Sequence, residues 1–248
     1  MITNKQSIVT LMAHPDDAEI HCGGTLAKFS QLGWDVHIVS LTGGQCGTIK
    51  HTPDEIMRIR IKEGTNSAKS INATFHCLEQ QDGFLLYNKE ILQLCINLFR
   101  ELNPAVVITH YPFDYHTDHI TASKLARTAS FLSPAPNSSS IPIKPGMKIP
   151  YLYYADANEG KDILGNRVQP SNYVDVSTEV NTVKQMLNHH ASQYEWLAEH
   201  HQVNSFDEAA VNHMKSRGGE IGVEAAECFV QHRGHAFPTA DLFTEIFS

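Results

Sequence analysis

Ala13-His14-Pro15-Asp16-Asp17-Ala18-Glu19 brings one imidazole and two adjacent carboxylates into a single turn, and Asp114-Tyr115-His116-Thr117-Asp118-His119 supplies further imidazoles far along the chain. Imidazole nitrogen and carboxylate oxygen are ligands that zinc accepts, and a catalytic site holds the ion with three such ligands and an open position. His14, Asp17 and His119 form a set of this kind. An ion held by them would acidify a water molecule and polarise a carbonyl group. Asp16, beside the ligands without being one, is placed to take a proton as general base. His116 precedes His119 by one short step, with Asp118 available to fix its tautomer or favour its protonated form. Such an imidazole can stabilise an oxyanion and hand a proton to a leaving amine. Zn2+ is the expected ion, with Fe2+ as the alternative, because two histidines and a carboxylate also describe the facial triad of non-haem iron oxygenases. An aspartate ahead of a helix also serves as an N-cap, so for Asp17 alone capping competes with ligation until the second cluster is considered.

No covalent nucleophile has a comparable setting. Gly-x-Ser-x-Gly is absent, and no cysteine adjoins the histidine clusters in the manner of a nucleophile beside its base. Cys22, Cys46, Cys77, Cys95 and Cys228 are scattered and odd in number, which reads as reduced structural thiols.

To act together, the two clusters must be carried to one place by the elements before them. Ile8-Val9-Thr10-Leu11 reads as a buried strand that delivers His14, Asp16 and Asp17 to its C-terminal edge, where ligands bind in open α/β sheets. Residues 19–32 read as a helix in which Gly23-Gly24 permits close approach. Residues 35–41 read as a second strand, leaving through the glycine-rich loop Thr42-Gly43-Gly44-Gln45-Cys46-Gly47. No Gly-Lys-Ser/Thr follows that loop, so it is expected to be a tight turn shaping a pocket wall. A polar helix over 54–71 carries Arg60 and Glu63 three apart, the spacing of a solvated ion pair worth about a few tenths of a kcal/mol. A strand over 74–78 comes next, ending near Asp82-Gly83. Ile91, Leu94, Cys95, Leu98 and Phe99 mark the core face of another helix. Val106-Val107-Ile108-Thr109 is then the strand that returns the chain to the same edge, at His110. This alternation is that of a parallel sheet with right-handed crossovers.

A helix over 120–131 leads into Ser133-Pro134-Ala135-Pro136-Asn137-Ser138-Ser139-Ser140, which has the composition of a flexible linker and is expected to be a surface loop flanking the site. Strands are expected over 149–154 and 173–176, and one long amphipathic helix from Val180 to Leu197, with His190 on its apolar stripe as a core histidine. Glu227, among small and apolar neighbours, reads as a buried partner for an arginine or as a solvated charge.

At 248 residues the chain fits one large domain over 1–248. Its formal net charge of −8, without a Lys/Arg stripe, argues against nucleic acid as a partner. The stretch Met1–Gln6 carries one basic residue ahead of an apolar run too short for a signal-peptide core or a membrane span, so a cytoplasmic protein with no membrane partner is expected.

These motifs resemble the LmbE-like, or PIG-L-like, zinc-dependent N-deacetylases. The resemblance rests on Ala13-His14-Pro15-Asp16-Asp17-Ala18-Glu19 and on Pro112-x-Asp114-Tyr115-His116-x-Asp118-His119. Lesser echoes are Arg60-x-x-Glu63, Val174-Asp175-Val176-Ser177, His190-x-Ser192-Gln193 and Ala226-Glu227-x-Phe229. It implies a Rossmann-like α/β three-layer sandwich with a mostly parallel sheet, zinc on His14, Asp17 and His119, Asp16 as base, and His116 at the oxyanion. It further implies a substrate-facing Arg60 and removal of an acyl group, usually acetyl, from the nitrogen of an amino sugar or its conjugate. Some relatives carry a mobile tyrosine two residues before the second histidine; here that position is Asp114, and Tyr115 is the nearby candidate for substrate contact. The insert from Pro134 to Lys148 has no counterpart to draw on, and such loops commonly set substrate choice. A homo-oligomer stays open, as do an Fe(II) oxygenase and a sugar-binding protein that keeps the pocket without chemistry.

Overall fold

The computed structural model describes residues 5–201 and 205–247, except for the side chains of 195 and 198–201, so Met1–Asn4 of the N-terminal reading lie outside it. The chain runs β1 (Ser7–Met12), α1 (Asp17–Gln31), β2 (Asp35–Thr42), α2 (Pro53–Ser70), β3 (Thr74–Gln80), α3 (Lys89–Leu102), β4 (Val106–Thr109) and α4 (Thr117–Leu132). It continues through β5 (Tyr151–Ala155), β6 (Asn172–Asp175), α5 (Val180–Leu187), α6 (Ala191–His201), α7 (Phe206–Ile221), β7 (Ala226–Gln231) and α8 (Leu242–Phe247). The strands form one sheet in the order β3-β2-β1-β4-β5-β7-β6. β3, β2, β1, β4 and β5 pair in parallel, and β7 alone runs antiparallel, against both β5 and β6.

A strand inside a parallel sheet is covered on both faces, and Ser7–Met12 of β1 is buried along its whole length. Ile8 and Met12 face the layer with α1, α5, α7 and α8, whereas Val9 and Leu11 face the layer with α3 and α4. The result is the expected three-layer α/β sandwich. Strand order reverses direction between β1 and β4, whose register pairs Leu11 with Thr109. The loops leaving these two strands therefore start side by side, and the crevice between them is where open α/β sheets place ligands.

Helix α1 is two helical pieces joined at Cys22, whose φ of −154° breaks the ladder. The break frees amides that a second helix start must satisfy. Glu227 of β7 does so, accepting from Gly24 N at 2.8 Å and from Thr25 N at 2.7 Å. Glu227 is thus neither an arginine partner nor a solvated charge. A Cβ on Gly24 would stand 2.8 Å from Val176, so glycine is what lets α1 approach β6 and its following turn.

Three other expectations change. The helix expected from Val180 to Leu197 is two, α5 and α6, parted at 188–190 because His190 turns fully inward to Glu19 Oε1 at 3.1 Å. It is a core histidine as expected. Neither α7 nor β7 was anticipated. The stretch expected to be a flexible loop flanking the site is instead folded around the buried guanidinium of Arg100 on α3. Arg100 donates to Ser133 O at 3.0 Å and Ser139 O at 2.9 Å, and also to the carbonyls of Ala135 and Ile141. Five donors in a planar fork can gather several carbonyls at once. Among the described residues, no helix is long and apolar enough to cross a membrane.

Arg100→Met should cost about 1–3 kcal/mol, the usual penalty when buried hydrogen bonds lose a partner, and should accelerate hydrogen exchange across 133–141. Urea unfolding and exchange mass spectrometry check this, and unchanged protection in that loop would count against Arg100 as its organiser.

Candidate metal centre and its pocket

The turn after β1 is shaped by backbone geometry before any side chain acts. Thr42 N and Ala13 O are joined at 2.9 Å, and Ala13 N lies 3.0 Å from His110 Nε2, so the β1, β2 and β4 exits are tied together. Asp16 occupies the N-cap position of α1 but makes no capping bond. Asp17 does not cap either; its Oδ2 accepts from His14 N at 2.7 Å, closing the turn. The capping alternative for this pair therefore fails, because both carboxylates are turned into the crevice.

The three residues expected as ligands come together. His14 Nδ1 lies 3.3 Å from Asp17 Oδ2, His119 Nε2 lies 3.5 Å from Asp17 Oδ1, and the two nitrogens are 3.2 Å apart. Bonds of about 2.0–2.1 Å in tetrahedral directions place ligand atoms about 3.3–3.4 Å apart, so the donors already stand at ligand spacing. The outer shell settles which nitrogen each ring presents. Asp114 Oδ1 is 3.0 Å from His119 Nδ1, leaving Nε2 for the centre. Asp82 Oδ1 is 3.1 Å and Asp118 Oδ2 3.7 Å from His14 Nε2, leaving Nδ1. A carboxylate behind each histidine is the usual support of a metal ligand. His110 and His116 are also within ligand reach of parts of this cluster.

Electrostatics point the same way. Burial alone would raise Asp17, but His119, His110 and His14 hold its carboxyl well below the usual range. Burial alone would lower His14, yet Asp17, Asp118 and Asp82 raise it well above the ordinary imidazole value. A site that draws a proton this strongly offers the same place to a cation, which must compete with that proton. His110, stacked on His119 with ring centroids 3.8 Å apart, is pushed down to about 3 by burial and by His119 and stays neutral.

Asp16, 3% exposed, faces Arg60, with Arg60 Nη2 donating to its Oδ1 at 3.2 Å. Arg60 Nη1 also donates to Gly44 O at 3.1 Å. Gly44 has φ +66°, and a Cβ there would strike the guanidinium, so the glycine-rich loop is a pocket wall built around Arg60. Arg60 does not pair with Glu63, which instead accepts from Ser192 N at 2.9 Å and Ser192 Oγ at 2.6 Å.

His116 sits at the N-cap of α4 and its Nδ1 accepts from Asp118 N at 3.1 Å. The expected pairing of His116 with the Asp118 carboxylate is therefore corrected. That carboxylate is taken by Gly83 N at 2.8 Å and Leu85 N at 3.2 Å and turns toward His14. With Nδ1 occupied as an acceptor, a neutral His116 carries its proton on Nε2. Burial, with His14 and His119, lowers its pKa, so of the two expected forms the neutral ring is favoured over the protonated one. Tyr115, 59% exposed, keeps its phenol proton, its pKa pushed up to about 12 by burial of the hydroxyl and the nearby carboxylates.

These groups line a cavity of about 730 Å3, within the range of small-molecule sites. Arg60, Tyr115, His116 and the trio of His14, Asp17 and His119 share it with α6 and α7 residues, whereas no residue of the Pro134–Lys148 insert lines it. Sequence reasoning assigned no role to His110, Asp82, His21 or His213. His110 had a readable signal, since it follows a buried strand at the ligand-bearing edge; His21 and His213 are set by tertiary packing.

Residues 9–130 match the model of the PIG-L family, described as GlcNAc-PI de-N-acetylase. The diacetylchitobiose deacetylase of Thermococcus kodakarensis is 29% identical over 138 residues, covering 53% of this chain and 52% of that one. The 4-oxalmesaconate hydratase of Pseudomonas putida is 26% identical over 157 residues, covering 60% and 59%. The chain thus spans about half the length of the curated relatives it matches. Among solved structures, the N,N'-diacetylchitobiose deacetylase of Pyrococcus horikoshii shares the fold with a TM-score of 0.79, at 24% identity and covering 96% of this chain and 89% of that one.

Asp114→Ala, which frees His119 Nδ1, should weaken Zn2+ affinity about 10–100-fold, as is usual when the group behind a ligand is lost. Competition with a chromophoric chelator measures this, and an unchanged affinity would remove Asp114 from the centre.

Proposed function

Because its residues 9–130 belong to the PIG-L (LmbE-like) family, we propose that this chain is a single-domain, metal-dependent hydrolase that removes an acetyl group from the nitrogen of an amino sugar or its conjugate. The observation that carries the reading is the ligand-spaced trio of His14, Asp17 and His119 with one further acid, Asp16, held beside it by Arg60. Zn2+ is the proposed ion and Fe2+ the alternative. When bound, such an ion supplies water acidified toward neutral pH and polarisation of the acyl carbonyl.

The chain's own residues do the rest. Asp16 takes the proton of the attacking water, its charge balanced by Arg60 and its position fixed by the bond to Nη2. His116 presents Nε2–H to the acyl oxygen as charge develops there, a role for which its N-cap bond holds the ring in place. Asp16 then returns the proton to the departing amine nitrogen. Arg60 contributes chiefly by holding Asp16 and the Gly44 turn, and Tyr115 offers a phenol hydroxyl at the cavity. Asp118 holds His14 rather than His116, so its contribution is to the ligand set. The proposed substrate is a small N-acylated sugar in a cytoplasmic setting, with neither nucleic acid nor membrane as partner.

A second reading follows from the similarity to a hydratase. Hydration of a carbon–carbon double bond would also use a cation and a base, but it releases no acetate. Oxygen consumption would mark the iron oxygenase alternative instead. Acetate release from N-acetylated amino sugars, including N,N'-diacetylchitobiose, decides among these. Asp16→Asn should keep its metal by elemental analysis and lose about 10²–10⁴-fold in kcat, the span expected for a general base. Full turnover in that variant, or no acetate from any amino sugar by the metal-loaded protein, overturns the reading.

A further inference from the structure

The cavity wall formed by α6 and α7 differs from the wall that bears the ligands, and it lies outside residues 9–130. Trp196, Leu197, Phe206 and Ala210 make it apolar, with Ile20 of α1 adjoining, and His213 of α7 interrupts it. His213 Nε2 is 2.9 Å from Asp156 Oδ2, which fixes the ring. Asp156, just beyond β5 and 6% exposed, is itself gripped from two sides by Arg217, through Nε at 2.7 Å and Nη2 at 3.0 Å. Room for that guanidinium comes from Gly160 at φ +68°, where a Cβ would stand 2.5 Å from Arg217 Nη2.

The bidentate ion pair satisfies Asp156 without help from an imidazole. His213 therefore adds little that the fold requires. Its side chain is 31% exposed, it lines the cavity, and its Nδ1 makes no hydrogen bond among the described residues. A ring held at one nitrogen and open at the other is a pre-oriented hydrogen-bonding group for a ligand. An acyl chain would meet the apolar wall alone and leave that nitrogen unmatched, at a cost. A sugar ring offers both features, a C–H face for Trp196 and Phe206 and a hydroxyl for His213.

Resting on the amino-sugar reading, we propose that His213 is a specificity-determining residue that hydrogen-bonds a hydroxyl on the second ring of a two-ring substrate. Asp156 and Arg217 are its positioning residues. The second ring packs on the wall of Ile20, Trp196, Leu197 and Phe206.

Calorimetric titration of the full chain with chitobiose and with glucosamine tests this without relying on turnover. Wild type should bind the disaccharide more tightly. His213→Ala should raise the chitobiose Kd about tenfold, equivalent to about 1.4 kcal/mol, and leave the glucosamine Kd unchanged. His213→Gln should recover part of the loss, and serves where the alanine variant fails to fold. Equal weakening of both ligands, an unchanged chitobiose Kd, or no preference for the disaccharide in wild type would overturn the proposal. A His213-dependent preference for chitobiose in a protein that releases no acetate would support this subsite while refuting the deacetylase reading.

Discussion

Five buried carboxylates, Asp16, Asp17, Asp82, Asp114 and Asp118, converge on one crevice, and the organisation of this protein follows from the need to compensate them. Uncompensated charge in a poorly solvated interior is too costly to persist. Each acid has a specific answer. Asp118 accepts from the amides of Gly83 and Leu85, Asp82 from the amide of Cys46, Asp114 from the amide of His116, and Asp16 from Arg60. Asp17 is answered by the imidazoles of His14 and His119 and by a backbone amide. His14 Nδ1, Asp17 and His119 Nε2 stand together at the centre of this convergence, which is the place of the proposed cation.

The sheet makes this convergence possible. β1 and β4 are neighbours in register although about a hundred residues separate them, so the His14 turn and the 110–119 segment share one edge. β2 adds the Gly44 turn, and β3 leads to Asp82. The parallel arrangement gathers four loops at one end, and the crossover helices carry the supports. Glu19 of α1 reaches both Ser67 of α2 and His190 beyond α5, which locks the layer that backs the site. Rigidity of this kind keeps Asp16 beside His14, Asp17 and His119, turned to Arg60.

The meeting of His14, Asp17 and His119 and the strands that deliver them were legible in the sequence, because each rests on a short-range pattern: an apolar run followed at once by polar residues. What was not legible depended on distant partners. Glu227 finds amides exposed by a break in α1 at which Gly23-Gly24 is the one local signal, and that pair does not name the partner. The Pro-rich stretch reads as a linker by composition, yet Arg100 gives its carbonyls a common donor. Arg60 and Glu63 have the spacing of an ion pair, but Asp16 and Ser192 outcompete that local contact. The Asp118 carboxylate was assigned to the wrong histidine for a related reason: adjacency in sequence favours His116, whereas the start of α4 turns that carboxylate toward the 83–85 amides and His14.

Anomalous X-ray diffraction at the zinc edge, on crystals of the metal-loaded protein, is the decisive measurement for this ligand assignment. A single strong peak is expected about 2.0–2.2 Å from His14 Nδ1, an Asp17 oxygen and His119 Nε2, with Asp16 outside the coordination sphere. A peak bound by Asp82 and Asp118, or one that recruits Asp16 as a ligand, would contradict it.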